Sequence, residues 1–333
     1  MSGTGPVGVV GLGLVGGSVA LDLLGRGVEV VGTDLDPDER ALAAAAGVAV
    51  EDTAGAVAER CDVVVVAVPT GATAGVLAEL DDAAAPGTVV TDVASVKAPA
   101  ALGTAGVVHR HLRHVGGHPM SGTERAGFRA ARRGLFDGAP WFVTPDTGTD
   151  PDALVRTLEL VLGFGAWPVL VDADEHDALV ATLSHLPHVL SYGLYATLAG
   201  AFPVETELLS GGSFRDLTRV AASRPAFWSE VMTRNRSALR TGVLAMRDRL
   251  DRLADALDGD GDTAAIEALL TQGHRSVVRG RGDDDVVVTL AAGAGGGLDA
   301  EGLATLRDLG RHAHGVRTVA RTAAGIELTL APL

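Results

Sequence analysis

The chain has 333 residues, 47% of them apolar and 21% charged, with a formal net charge of −15 and one cysteine, Cys61. This length suggests two domains or two plus a small appendage, and a lone cysteine excludes an intramolecular disulfide or a cysteine metal cluster. The acidic balance argues against nucleic acid as a partner, the short interrupted apolar runs argue against a membrane span, and no signal-like segment opens the chain, so a soluble cytoplasmic protein is expected. An anionic substrate would have to be met by locally gathered cations; of 27 basic residues only Lys97 is a lysine.

Val7-Gly8-Val9-Val10 reads as a buried first strand running into Gly11-Leu12-Gly13-Leu14-Val15-Gly16, and Ser18 to Leu24 continues with a helical apolar pattern. This strand, tight turn and helix is the context a dinucleotide fingerprint requires. Gly11 would make the turn, Gly13 would admit a pyrophosphate, and Gly16 would let helix and strand pack closely. The free N–H groups of the helix N-terminus would face the phosphates. A second strand, Glu29 to Thr33, ends at Asp34, whose carboxylate would accept hydrogen bonds from a ribose and repel a 2′-phosphate. NAD is therefore expected rather than NADP, although Arg40 is close in sequence.

The apolar run Asp62 to Val68 fits a parallel strand buried on both faces; Val68 and Pro69 open a turn set to touch the cofactor. Thr88 to Val93 is another strand, followed by Ala94-Ser95-Val96-Lys97. Ser95 and Lys97 are site candidates because ligands of open α/β sheets gather at this edge, although Ser95 could simply cap the next helix. Gly116-Gly117-His118-Pro119 would hold an imidazole on a glycine-lined turn where the sheet ends. A histidine there can take a proton from a hydroxyl near neutral pH, or merely cap backbone groups. Trp141 to Thr144 and Val169 to Val171 read as further strands, and the first domain is expected to span 1–172.

From Ala173 the pattern turns to long helices, and 173–282 is expected to be an all-α domain. Ala173 to Gly200 reads as one helix carrying Ser184-His185-Leu186-Pro187-His188, kinked by Pro187. His185 and His188 share a face, but neither HExxH spacing nor cysteine partners accompany them, so no metal is expected. In Gly211-Gly212-Ser213-Phe214-Arg215-Asp216-Leu217-Thr218-Arg219, the two arginines at i, i+4 would share one helix face as a carboxylate clamp. Trp228 could form an aromatic wall. The acidic turn Asp258 to Asp262 lacks the spacing of a calcium loop. The helical region carries more apolar faces than it can bury alone, so a homodimer through it is expected. Residues 283–333 read as a short strand-helix-strand-strand tail. A truncated regulatory module, a dimer embellishment and packing on the helical domain are all open for it.

With GLGLVGGS, DVASVK, GGHPMSGTERAG, SHLPH, FRDLTRVA and the following FW in one order, the chain resembles the prephenate/arogenate dehydrogenase family of tyrosine biosynthesis. The resemblance covers Gly11 to about Asn235. It implies an α/β fold: an N-terminal Rossmann domain, then an all-α dimerisation and substrate domain, with a short α+β segment at the C-terminus. It also implies NAD-dependent oxidative decarboxylation of prephenate to 4-hydroxyphenylpyruvate. By the family pattern His118 accepts the hydroxyl proton and Ser95 positions that hydroxyl. Arg219 and Arg215, the latter often Lys in the family, match the cations that bind substrate carboxylates. His188 and Trp228 match the side-chain pocket, Glu124 a gate that pairs with the arginine, and Gly212 a contribution from the second subunit. Prephenate is expected over arogenate on the ground that His188 would donate to a keto side chain. Inhibition by tyrosine is expected only from its likeness to the product. A β-hydroxyacid dehydrogenase or imine reductase would instead place a lysine or aspartate on the interdomain helix. A non-catalytic NAD sensor is the other alternative.

Overall fold

A computed structural model describes residues 5–258, 261–277, 285–291 and 297–333. The N-terminal strands are β1 (Val7–Val10), β2 (Val30–Thr33), β3 (Ala49–Val50), β4 (Val63–Val66), β5 (Thr88–Asp92), β6 (Leu112–Pro119), β7 (Pro140–Thr144) and β8 (Trp167–Leu170). They form one sheet in the order β3-β2-β1-β4-β5-β6-β7-β8. Neighbours run parallel except β6 and β7, which are antiparallel. The valine runs of β1 and β4 lie at the centre, where helices cover both faces and no polar alternation is needed. Around the sheet lie α1 (Leu14–Leu24), α2 (Pro37–Ala45), α3 (Ala54–Ala58), α4 (Thr73–Ala83), α5 (Pro99–Leu102) and α6 (Pro151–Gly163). Strand order reverses between β1 and β4, which opens the crevice where such sheets bind ligands.

The segment Gly116 to Pro119 is strand, not the turn expected from sequence. Pairing of β6 with β5 stops at Val115, but β6 continues against β7, with His118 opposite Phe142. The two glycines serve crowding rather than turning. A Cβ at Gly117 would lie 2.9 Å from both Thr91 Oγ1 and Trp141 Nε1, and one at Gly116 would press on Thr144 and the Lys97 stem.

The second domain comprises α7 (Ala173–Val180), α8 (Leu186–Ala201), α9 (Gly212–Thr218), α10 (Pro225–Arg234), α11 (Arg236–Ala256) and α12 (Thr263–Val277). The single kinked helix expected from Ala173 to Gly200 is instead two helices joined by a π-helical turn, Ala181–His185. Pro187 falls in the first turn of α8, where its missing N–H costs nothing. The irregularity is absorbed one turn earlier, and wide turns of this kind cluster at functional sites. Among the described residues no helix is long and apolar enough to cross a membrane.

The tail forms β9 (Val286–Leu290), α13 (Ala300–Arg311), β10 (His314–Thr322) and β11 (Gly325–Pro332), an antiparallel sheet ordered β10-β11-β9. It packs chiefly against the β8 edge of the large sheet, not on the helical domain. Leu306, Val316, Leu328 and Leu330 share one core with Phe164 and Leu170. Arg307 donates to the Pro145 carbonyl at 2.6 Å, and Arg317 lies 5.7 Å over the Trp167 ring. The tail thereby covers an edge strand that would otherwise be an exposed pairing template. The expected boundary at 282/283 lies outside the described residues, as do 259 and 260 of the acidic turn.

Gly310 is where α13 meets β8, because a Cβ there would enter the Leu170 carbonyl. Gly310→Ala is expected to destabilise the protein by about 1–3 kcal/mol, read as a lower Tm by calorimetry. An unchanged Tm would contradict this docking.

Candidate active site

At the carboxyl end of β1, Gly11 adopts φ +92° and packs against the Ala67 carbonyl, so only glycine fits. Gly16 packs against the Gly11 carbonyl, while the space over Gly13 is open. Gly13 is the N-cap of α1 and has no side-chain partner for the helix amides, which leaves free N–H groups beside an open cradle. That cradle fits a dinucleotide pyrophosphate. Asp34 accepts the Leu12 N–H at 2.6 Å and the Asp36 N–H at 2.9 Å, which ties the β2 end to the glycine turn. Arg40 donates to the Asp34 carbonyl at 2.6 Å. Its guanidinium is thus engaged by the backbone of this turn. Val68, half-buried, and Pro69, exposed, follow β4 across the crevice.

His118 is 8% exposed, and its Nδ1 lies 2.9 Å from His176 Nε2 on α7. His176 Nδ1 in turn lies 2.8 Å from Asp177 Oδ1. An ionised carboxylate only accepts, so His176 donates from Nδ1 and accepts at Nε2. His118 must then donate from Nδ1, which leaves its Nε2 with a free lone pair. The tautomer of the candidate base follows from the hydrogen-bond chain. Asp177 is fixed by the backbone of the other domain: it accepts the Lys97 N–H at 2.7 Å and the Ala98 N–H at 3.0 Å. Asn235 donates to the Asp177 carbonyl at 2.7 Å and faces His185 Nδ1 at 3.2 Å. Burial first, then the neighbouring His176 and Lys97, hold the His118 pKa well below the ordinary histidine value. Burial likewise lowers His176, against the opposing bond to Asp177, and takes His185 to about 4. All three are neutral at pH 7.

Lys97 is placed differently from the expectation of substrate contact. Its ammonium is 1% exposed and pairs with the fully buried Asp92 carboxylate, whose other oxygen meets His114 Nε2 at 2.9 Å. Asp92 also accepts the Ala94 N–H at 2.9 Å. Burial alone would raise the Asp92 carboxyl, but Lys97 and His114 outweigh it and hold it low. The group braces the loop from Ala94 to Ala98, which carries Ser95. Ser95 is half-buried, makes no side-chain hydrogen bond among the described residues, and does not cap α5, whose N-cap is Ala98.

The remaining candidates lie on the helical domain and on the segment after β6, and several of them meet one another. His188 stacks on Trp228 with ring centroids 3.5 Å apart, and Trp228 also meets His185 edge-on at 6.0 Å. Arg219 approaches Glu124 at 3.9 Å, and its charge is felt by His188. Arg215 and Arg219 stay one helical turn apart, since the Arg219 N–H at the C-cap of α9 bonds to the Arg215 carbonyl, but their side chains part: Arg215 donates back to the Ser210 carbonyl at 2.8 Å while Arg219 turns to Glu124. Gly212, the first residue of α9, is exposed with open space where a side chain would be. His188 corrects a further expectation. Its Nδ1 lies 2.8 Å from the Ser184 carbonyl and therefore donates. Burial lowers its pKa, so the neutral ring offers Nε2 as an acceptor and not as a donor to a keto group. Sequence reasoning missed His176, Asp177, Asp92 and His114. Their only signal was polar side chains beside strand ends and at the start of the interdomain helix.

A family model for the nucleotide-binding domain of prephenate dehydrogenase matches residues 19–170, and one for the prephenate dehydrogenase dimerization domain matches 172–272. The chain belongs to the prephenate dehydrogenase family. It is 32% identical over 240 residues to the prephenate dehydrogenase of Bacillus subtilis, covering 69% of this chain and 64% of that one. A prephenate dehydrogenase from A. aeolicus, solved with hydroxyphenyl propionate and NAD+, superposes with a TM-score of 0.73 at 25% identity, covering 82% of this chain and 97% of that chain. A Synechocystis arogenate dehydrogenase gives a TM-score of 0.67 at 29% identity over 82% of this chain and 100% of that chain. The tail lies beyond both matched family domains.

Lys97→Met would leave Asp92 buried without its cation, at an expected cost of about 3–5 kcal/mol at neutral pH. Because Asp92 is held low, its contribution is present above about pH 4 and is lost as pH falls through its folded value. The difference between variant and parent should therefore shrink on acidification, measured by denaturant unfolding at two pH values. A deficit that is small or independent of pH would contradict the buried pair.

Proposed function

We propose that the protein is an NAD-dependent prephenate dehydrogenase that converts prephenate to 4-hydroxyphenylpyruvate and carbon dioxide. The observation that carries this is the Asp177–His176–His118 chain, which leaves an unprotonated imidazole nitrogen on β6 of the same sheet whose β1 end carries the dinucleotide cradle. NAD, when bound, supplies the hydride acceptor. The Gly11–Gly16 turn and the free amides of α1 would hold its pyrophosphate, Asp34 its ribose, and Val68 and Pro69 would line its path. His118 Nε2 takes the proton of the substrate hydroxyl as the hydride leaves the same carbon. When the bond from ring to carboxylate breaks, its electron pair enters the ring and the oxygen recovers that proton from His118. The proton ends on the phenol, the carboxylate leaves as carbon dioxide, and aromatisation drives the step. Asp177 stabilises the transient imidazolium through His176, as in other carboxylate–histidine pairs.

Arg219 is the cation proposed for a substrate carboxylate, with Glu124 as the partner it leaves. Arg215 and Gly212 are proposed to act near the mouth, Gly212 across a subunit boundary. Ser95 would bond the substrate hydroxyl, and His188 with Trp228 would hold the side chain. A homodimer through the helical domain is supported by Leu208, Leu209, Leu217 and Leu270, each well exposed on its helices or turns, since apolar patches of this kind mark partner surfaces. A cytoplasmic setting and competition by tyrosine at the same pocket complete the reading.

One observation favours a second substrate. A neutral His188 with Nε2 as acceptor suits the ammonium of arogenate better than the keto group of prephenate. The test is NADH formation with each substrate across pH. Turnover with prephenate is expected, with the acid limb of kcat/KM below about 6.5, the ordinary histidine value. Protonation of His188 would create a donor and repel an ammonium, so preference for prephenate over arogenate should rise as pH falls. Silence with both substrates in protein that binds NAD would overturn the reading. A strong arogenate preference at every pH would move it to the second substrate.

A further inference from the structure

The contact between α10 and the N-terminal domain runs through two side chains with no part in the chemistry above. Glu230 accepts the Gly71 N–H at 2.7 Å, and Arg234, one turn later on the same helix, pairs with Glu230 at 3.1 Å. Arg234 also donates to the Ala101 carbonyl at 2.7 Å. Gly71 belongs to the 3₁₀ turn Thr70–Ala72, which directly follows Pro69 at the proposed cofactor edge and leads into α4. A Cβ at Gly71 would lie 2.6 Å from Glu230 Oε1 and 2.5 Å from Arg234 Nη2. The glycine is therefore needed to let the pair close on the turn. Beside it lies a cleft of about 840 Å³ lined by Ala98 and Ala101 from one domain and by Asp177, Glu230, Arg234 and Asn235 from the other, which touch at its Asp177 end. The pair bridges that cleft.

Both side chains are about one-third exposed, and ion pairs so placed contribute little to stability. Geometry, then, is their more telling consequence. The helix that holds them also carries Trp228, two residues before Glu230, stacked on His188. Glu230 and Arg234 thus grip the turn beside the proposed cofactor edge while Trp228, within the same turn of α10 as Glu230, stands against His188 at the proposed substrate pocket. We infer that Glu230 and Arg234 are positioning residues that set the distance between cofactor and substrate by clamping α10 to the Gly71 turn. This rests on the proposed dehydrogenase reading, because it is a hydride-transfer distance that the clamp would set.

The experiment compares the parent with Glu230→Ala, Glu230→Gln and Gly71→Ala, using NAD and prephenate deuterated at the hydroxyl-bearing carbon. Small misplacements of reacting groups cost rate rather than binding, so Glu230→Ala should lower kcat by about ten- to hundredfold with KM values within about twofold. The deuterium isotope effect on kcat should rise as hydride transfer becomes the slow step. Glu230→Gln keeps an acceptor for the Gly71 N–H and should recover most of the rate. Gly71→Ala, which displaces the same pair, should mimic Glu230→Ala, and the double variant should be no worse than either alone. Amide exchange at Gly71, read without substrate, should be faster in Glu230→Ala than in the parent. An inactive parent would sink the proposed reaction and leave the exchange result to decide the clamp. An active parent with unchanged kcat and isotope effect in Glu230→Ala would overturn the clamp, and so would a lower Tm alone or unchanged Gly71 exchange.

Discussion

The arrangement of the site depends on one carboxylate. Asp177 lies at the start of the helical domain, yet both of its oxygens are held by backbone N–H groups of the loop after β5. The same oxygen that accepts the Lys97 amide also orients His176. A single group thus joins the two domains, selects the His176 tautomer, and through it leaves His118 Nε2 free. Buried polar networks are costly when partly satisfied and rigid when complete. Here Asn235, His185 and the two amides complete it, so that the base is set before any ligand arrives.

Charge at the base of the site follows the same logic. A buried carboxylate is tolerated only when paired, and Asp92 has a lysine, a histidine and a backbone amide. The pairing fixes the loop that carries Ser95 and presents the amides that Asp177 requires. The positive Lys97 beneath the histidines also disfavours a second cation, which keeps His118 neutral. The Lys97 stem passes beside Gly116, where a side chain would crowd it, and carries its ammonium to Asp92.

How much of this could be read from the chain depends on how local each signal is. The glycine turn, the Asp34 position and the valine strands were readable because strand, turn and helix are adjacent in sequence. His118 was readable from its neighbours, but its strand setting was not, since that comes from pairing with β7 rather than from the glycines themselves. His176 and Asp177 were hidden because successive helical residues point apart and no spacing rule links them. Their meaning depends on contacts 58 and 80 residues away. The spacing of Arg215 and Arg219 was readable, since the helical bond between them is made, but it could not tell that Arg215 is taken by the Ser210 carbonyl while Arg219 meets Glu124. The donor role expected of His188 could not be checked from the chain, because the Ser184 carbonyl that captures its Nδ1–H becomes visible only once the π-helical turn is built.

The claim on which the account turns is the protonation pattern of His118, and nitrogen-15 NMR of labelled imidazoles in the unliganded protein at neutral pH measures it directly. The account predicts that His118 carries its proton on Nδ1 with Nε2 bare, and that His176 shows the same tautomer. A His118 protonated on Nε2, or a cationic imidazolium at that pH, would contradict it.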